Sequence, residues 1–121
     1  MITKKILIVD DEEGYRKVLS NSLSEIGYET TVATCGFEAL QAMKMKNYTA
    51  VLLDMEMPGM DGIELLEQIQ KAHYPCNIII ITAYTCDDMA RKAICMGAKR
   101  VIRKPFNMDD IKACLNEIIG Q

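Results

Sequence analysis

Two hydrophobic rhythms alternate along the chain. Short apolar runs occupy Ile6 to Val9, Thr31 to Ala33, Ala50 to Leu53, Ile78 to Ile81 and Val101 to Ile102. Four of them are solidly apolar, without polar alternation, the pattern of parallel strands buried on both faces. The run near Thr31 is mixed with polar residues and reads as an edge strand. Between the runs the spacing turns helical. Tyr15, Val18, Leu19, Leu23 and Ile26 form one stripe, stopped by Gly27. Phe37, Leu40 and Met43 mark a second helix, Ile63, Leu66 and Ile69 a third, and Met89, Ala93 and Ile94 a shorter fourth that ends near Gly97. Ile111, Cys114, Leu115, Ile118 and Ile119 fall at i, i+3, i+4, i+7 and i+8 of a fifth. Asn107 stands where a cap belongs.

The pattern is a βα unit repeated five times. Parallel strands joined by right-handed helical crossovers make an open sheet with helices on both faces. For five strands the expected order is 2-1-3-4-5, which puts the weak second strand at an edge. The expected fold class is thus α/β, a three-layer sandwich. No repeat, linker or charge block divides the chain, so residues 1–121 read as one domain.

Composition narrows the function classes. Half of the 121 residues are hydrophobic and 26% are charged, which excludes a disordered chain. Fourteen Lys and Arg against 17 Asp and Glu give a net charge of −3, a poor basis for direct nucleic-acid binding. The isoleucine run Ile78 to Ile81 is far shorter than the roughly 20 residues of a membrane helix. Met1 to Lys5 leads into an apolar run too short for a signal peptide. The five cysteines, Cys35, Cys76, Cys86, Cys95 and Cys114, form no C-x-x-C pair, as expected of free thiols in a reducing compartment. The expectation is a soluble, cytoplasmic domain with no membrane partner.

Ligands of such sheets bind at the carboxyl ends of the strands. The first run ends in Asp10-Asp11-Glu12-Glu13, the third in Asp54, the fourth in Thr82 and the fifth in Arg103-Lys104-Pro105. Neighbouring strands are about 4.8 Å apart, so Asp10, Asp11 and Asp54 should converge. Carboxylates that close ionise together only if a cation joins them. An all-oxygen set without His or Cys suits Mg²⁺, with Mn²⁺ also possible. Lys104, two strands from Asp54, would span a gap of roughly 10 Å with its long side chain. A lysine, a hydroxyl and a divalent cation around one carboxylate make a pocket for an incoming phosphoryl group, with Asp54 as nucleophile.

The segments ILIVDDEE, LLDMEMPGMDG, ITAY and RKPF, in this order and spacing, resemble the receiver domain of two-component response regulators. The resemblance runs from Lys5 to Ile119 and implies a flavodoxin-like fold. It implies that Asp54 is phosphorylated by a phosphohistidine on a sensor histidine kinase or a histidine phosphotransfer protein. It implies Mg²⁺ ligation by the side chains of Asp11 and Asp54 and the backbone carbonyl of Glu56, with Asp10 acting through metal-bound water. Thr82 resembles the switch hydroxyl that bonds the phosphoryl oxygen, and Lys104 the lysine that pairs with it, before a cis Lys104-Pro105 peptide. Such a domain is no enzyme toward other molecules; it catalyses only its own phosphorylation and dephosphorylation.

Two positions depart from the family pattern. Val101 stands where an aromatic residue usually partners the threonine switch, and Glu56 is an acid beside the metal site, with a suggested influence on the water that attacks during dephosphorylation. Arg91, Lys92, Lys99, Arg100, Arg103 and Lys104 form a basic stretch whose default reading is a solvated face. In receivers the side from the fourth to the fifth helix also meets output domains or downstream regulators. A Mg²⁺-dependent aspartyl phosphohydrolase is the rival reading, but such enzymes show D-x-D after the first strand and a cap domain for which this chain has no room. A flavodoxin-like cofactor binder would need a Ser, Thr and Gly-rich phosphate loop, not DDEE, and no G-x-G-x-x-G occurs. A receiver-like module that binds partners without phosphorylation is the remaining alternative. The motifs resemble both relay shuttles and the receivers of enhancer-dependent transcription activators.

Overall fold

A computed structural model describes residues 3–83 and 87–120, so Cys86 and the tyrosine of ITAY lie outside the described residues. Five strands and five helices alternate: β1 (Lys5–Val9), α1 (Glu13–Glu25), β2 (Glu29–Ala33), α2 (Gly36–Met45), β3 (Ala50–Asp54), α3 (Gly62–Lys71), β4 (Asn77–Thr82), α4 (Asp87–Cys95), β5 (Arg100–Arg103) and α5 (Met108–Ile119). All strand pairs are parallel and the order is β2-β1-β3-β4-β5, the order expected for a five-stranded doubly wound sheet.

Alternate residues of the central strands feed two cores. Leu7, Val9, Val51, Leu53, Ile78 and Ile80 meet Ala39, Met43, Leu65, Leu66, Ile69 and Ala93 from α2, α3 and α4. Ile6, Ile8, Ala50, Leu52, Ile79 and Ile81 meet Leu19 and Leu23 of α1 and Ile111, Cys114 and Leu115 of α5. Burial on both faces is why these runs carry no polar alternation. The edge strand β2 starts at Glu29, two residues before the predicted run, because backbone pairing with β1 extends to Lys5 opposite Glu29. Backbone hydrogen bonds admit any side chain, so polarity does not end the strand.

The helical stripes are correct in place but not in every member. Phe37 is 63% exposed, and α2 buries Gly36, Ala39 and Met43 instead. Gly36 lies so close to Met60 that a Cβ there would come within 2.8 Å of its Sδ. That approach sets the inward face and turns Phe37 to solvent. Val18, Ile26 and Ile94 lie at the margins of their stripes and are also exposed.

Capping positions two of the helices. Asn107 Oδ1 accepts from the Asp109 amide at 2.8 Å, as its place in the sequence predicts. Asp61 Oδ1 accepts from the Glu64 amide at 2.9 Å and starts α3 beside the rim loops. Asp61→Ala is expected to cost about 1 kcal/mol. Urea titration should show a lower midpoint at unchanged slope, since the surface exposed on unfolding stays the same.

Candidate functional site

The register builds the site. β1 pairs Val9 with Leu53, so Asp10 and Asp54 leave their strands side by side. Both are buried, at 2% exposure each. Each carboxylate bonds the amide two residues ahead: Asp10 Oδ1 accepts from Glu12 N at 2.9 Å and Asp54 Oδ1 from Glu56 N at 3.1 Å. These Asx turns hold one oxygen of each acid and aim the other at the rim. Arg16 Nη1 adds a 2.8 Å bond to the Asp10 carbonyl.

Lys104 closes the group from β5. Its Nζ lies 3.0 Å from Asp10 Oδ2, 3.4 Å from Asp54 Oδ2 and 3.4 Å from Glu12 Oε1. Its backbone amide donates to Thr82 O at 2.8 Å, which ties the end of β5 to the end of β4. The Lys104-Pro105 peptide is cis. The Tyr15 ring lies under the ammonium, 4.2 Å from Nζ to centroid, and stacks at a tilt on Phe106 with centroids 5.4 Å apart. A desolvated ammonium on a ring face is held by the ring quadrupole as well as by the acids.

Charge is crowded here. Burial pushes the Asp54 carboxyl from 3.8 up to about 7, aided by the Asp10 and Glu56 charges and opposed by the Glu56 amide and Lys104. Burial works against the Lys104 ammonium, but the bond to Asp10 and the charges of Asp54, Asp10 and Glu12 outweigh it and raise its pKa. Carboxylate oxygens of Asp10, Asp11, Glu12 and Asp54 lie within 4.8 Å of one another. Asp54 Oδ2 is buried and accepts no hydrogen bond among the described residues. A donor set made only of oxygen, with an orphaned anionic atom inside it, fits a hard divalent cation.

Thr82 and Glu56 meet on the other side of Asp54. Thr82 Oγ1 donates to Glu56 Oε1 at 2.5 Å, and the Ala83 amide donates to the same oxygen at 2.7 Å. The Glu56 carboxylate is thus turned to the end of β4, not to the acidic cluster. Val101 lines a small cavity of about 20 Å³ with Thr82, Ile80, Met55, Met89 and Arg103. In the basic stretch, Arg100 pairs with Glu117 of α5 at 3.1 Å.

The structure therefore brings Asp10, Asp11, Asp54, Thr82 and Lys104 to one rim, with Glu56 beside them and Val101 behind Thr82. Two members escape sequence reasoning. In the sequence Glu12 is visible only as part of the DDEE run, and the spacing of Tyr15 places it in the apolar stripe of α1. Elsewhere, Cys35, Cys76, Cys95 and Cys114 are free thiols, and burial pushes that of Cys76 up to about 11. Among the described residues no helix is long and apolar enough to cross a membrane.

Comparison with known proteins agrees with this geometry. The response regulator receiver domain family matches residues 6–116. The chain is 38% identical over 119 residues to sporulation initiation phosphotransferase F of Bacillus subtilis, covering 98% of this chain and 96% of that protein. It is 38% identical over 113 residues to the DNA-binding transcriptional regulator NtrC of Klebsiella pneumoniae, covering 93% of this chain but only 24% of the regulator. Among solved structures, the response regulator TrrA of Thermotoga maritima, in complex with Mg²⁺-BeF, superposes with a TM-score of 0.83 at 38% identity, covering 96% of this chain and 99% of that one. With the 2-1-3-4-5 sheet, the acidic rim and the family match in agreement, the chain belongs to the response regulator receiver domains, the phosphoryl-accepting modules of two-component signalling.

Proposed function

We propose that Asp54 accepts the phosphoryl group and that Asp10, Asp11 and Asp54, with the Glu56 carbonyl, hold Mg²⁺. The observation that carries this reading is the Asp54 Oδ2 atom, buried, without a hydrogen bond, and 3.4 Å from Lys104 Nζ. Oδ2 attacks the phosphorus of a phosphohistidine in line. The P–N bond breaks, the imidazole leaves, and an acyl phosphate forms on Asp54. Lys104 neutralises charge on the transferred group, and Thr82 donates its hydroxyl to a phosphoryl oxygen. Bound Mg²⁺ supplies the remaining charge neutralisation, which matters most where water is excluded. Hydrolysis of the acyl phosphate resets the domain, which acts on no other substrate.

The donors on this reading are a sensor histidine kinase or a histidine phosphotransfer protein. The receiver spans residues 1–121, works in the cytoplasm, and passes its state to an output domain or downstream regulator through the α4–β5–α5 face. Intact mass after incubation with acetyl phosphate tests the chemistry. One phosphoryl adduct is expected on the parent chain, only with Mg²⁺, and none on Asp54→Asn. An unlabelled parent, under conditions that label another receiver, would overturn the proposal and favour a phosphorylation-independent module. So would labelling of Asp54→Asn.

A further inference from the structure

We propose that Glu56 is a positioning residue for Thr82: in the resting chain its carboxylate occupies the donors that the transferred phosphoryl group has to claim. The inference rests on the reading of Asp54 as acceptor and Thr82 as the hydroxyl that follows the phosphoryl group. It starts from one oxygen atom. Glu56 Oε1 accepts both the Thr82 hydroxyl at 2.5 Å and the Ala83 amide at 2.7 Å.

Both donors sit at the end of β4, next to the acceptor, since Asp54 pairs with Ile81 in the register. Glu56 is fastened to the acceptor by its own amide, which donates to Asp54 Oδ1 at 3.1 Å. The chain therefore places an anion two residues from Asp54 and aims it at the same donors. A threonine hydroxyl has a single proton to donate. While that proton is on Glu56 it cannot serve a phosphoryl oxygen, and the reverse holds after transfer. The bonds to Glu56 are charge-assisted, so the exchange replaces one strong contact by another.

There is room for the displaced acid. Glu56 also lines an open groove of about 350 Å³ with Met57, Pro58, Asp61, Ile63 and Met89. Transfer to Asp54 would move a carboxylate from the end of β4 into this groove between the β3–α3 loop and α4. Val101 has no ring to follow Thr82. Glu56 is hydrogen-bonded to the threonine and able to register its movement.

The test compares rates of phosphorylation by acetyl phosphate at saturating Mg²⁺, read by intact mass. The chains are the parent, Glu56→Ala, Glu56→Gln, Thr82→Ala and the double variant Glu56→Ala with Thr82→Ala. Glu56→Ala is expected to accept phosphate roughly three- to tenfold faster than the parent, the scale of one charge-assisted hydrogen bond. The gain should fall below about twofold in the Thr82→Ala background, because contacting residues are energetically coupled. Glu56→Gln keeps the shape and a weaker acceptor, so its gain should be smaller, and it serves if Glu56→Ala does not fold. If Glu56 acted only by repelling the phosphoryl charge, Ala and Gln would give equal gains, undiminished without Thr82; that result overturns the inference. A second readout uses the parent alone: the Ala83 amide resonance should shift upfield from its charge-assisted position when Mg²⁺ and beryllofluoride are added, if Glu56 leaves it for the weaker acceptor charge of a fluoride. An unmoved Ala83 amide overturns the inference. An unlabelled parent overturns the Asp54 assignment and this inference with it, whereas a labelled parent with an unaccelerated Glu56→Ala overturns this inference alone.

Discussion

Lys104→Met should lower folding stability by about 3 kcal/mol at pH 8 without divalent cations, the cost of removing one partner from a buried ionic group. The lysine side chain is 5% exposed and faces Asp10 Oδ2 at 3.0 Å and Asp54 Oδ2 at 3.4 Å. Methionine fills much of the volume, so the loss is chiefly electrostatic: two buried carboxylates lose the ammonium that faces both of them. The pH dependence has a definite sign. Asp54 has a folded-state pKa raised from 3.8 to about 7, so the folded chain binds more protons than the unfolded one and stability falls as pH rises across that window. Without Lys104 the carboxyl is pushed higher still, and the loss should continue above pH 7. Denaturant titrations at pH 6 and pH 8 should show a larger drop for Lys104→Met than for the parent. Added Mg²⁺ should reduce the difference if the acidic cluster binds it, since a ligand bound only by the folded state stabilises it. Equal pH slopes for variant and parent would show that Lys104 does not balance these acids.

The second large effect is expected at Gly62, the first residue of α3. Its φ is unremarkable, so its need for glycine is one of space. A Cβ there would lie 2.6 Å from the Met55 Cα and 3.2 Å from the Asp54 carbonyl oxygen, and would also strike the Met55 Sδ. The Met55 Cα is backbone and cannot swing away. The Gly62 amide donates to Met55 O at 3.1 Å, so the helix start is stitched to the residue that follows Asp54. Gly62→Val should cost roughly 2–3 kcal/mol through overpacking. It should also slow acetyl phosphate labelling, because the backbone that must yield carries Asp54 and Glu56. Gly14→Ala is the matched control: nothing lies within 4 Å of its Cβ position in α1, and alanine there should be neutral or mildly stabilising. Thermal unfolding of both variants checks the contrast.

The parts of the site that could be read in advance share one property: each is the last residue of a strand or the first one after it. Asp10, Asp54, Thr82 and Lys104 follow apolar runs whose lengths and order already imply a common rim, and the register needs only to bring them level. The directions of the longer side chains were not legible in this way. Glu56 lies two residues after Asp54 in the sequence, yet its carboxylate turns to Thr82 and Ala83 because two donors at the end of β4 attract it more than a cluster of like charge. Tyr15 satisfies the helical stripe of α1, and its ring nonetheless serves Lys104, 89 positions further along at the end of β5.

Strand positions, double-faced burial and the residues at the strand ends follow from the sequence by itself, because periodicity and strand-end residues are local properties that the backbone converts directly into position, whereas the 2-1-3-4-5 order is the one known for this class of doubly wound sheet. The tertiary structure alone decided which way Phe37 faces, that Glu12 joins the acidic cluster, that Tyr15 lies under Lys104 and that Glu56 grips the end of β4. Each of these depends on what a neighbouring element presents, whether the space beside Met60, the field of the buried acids or the donors at the end of β4. Contacts between residues far apart in the chain have no periodicity to announce them.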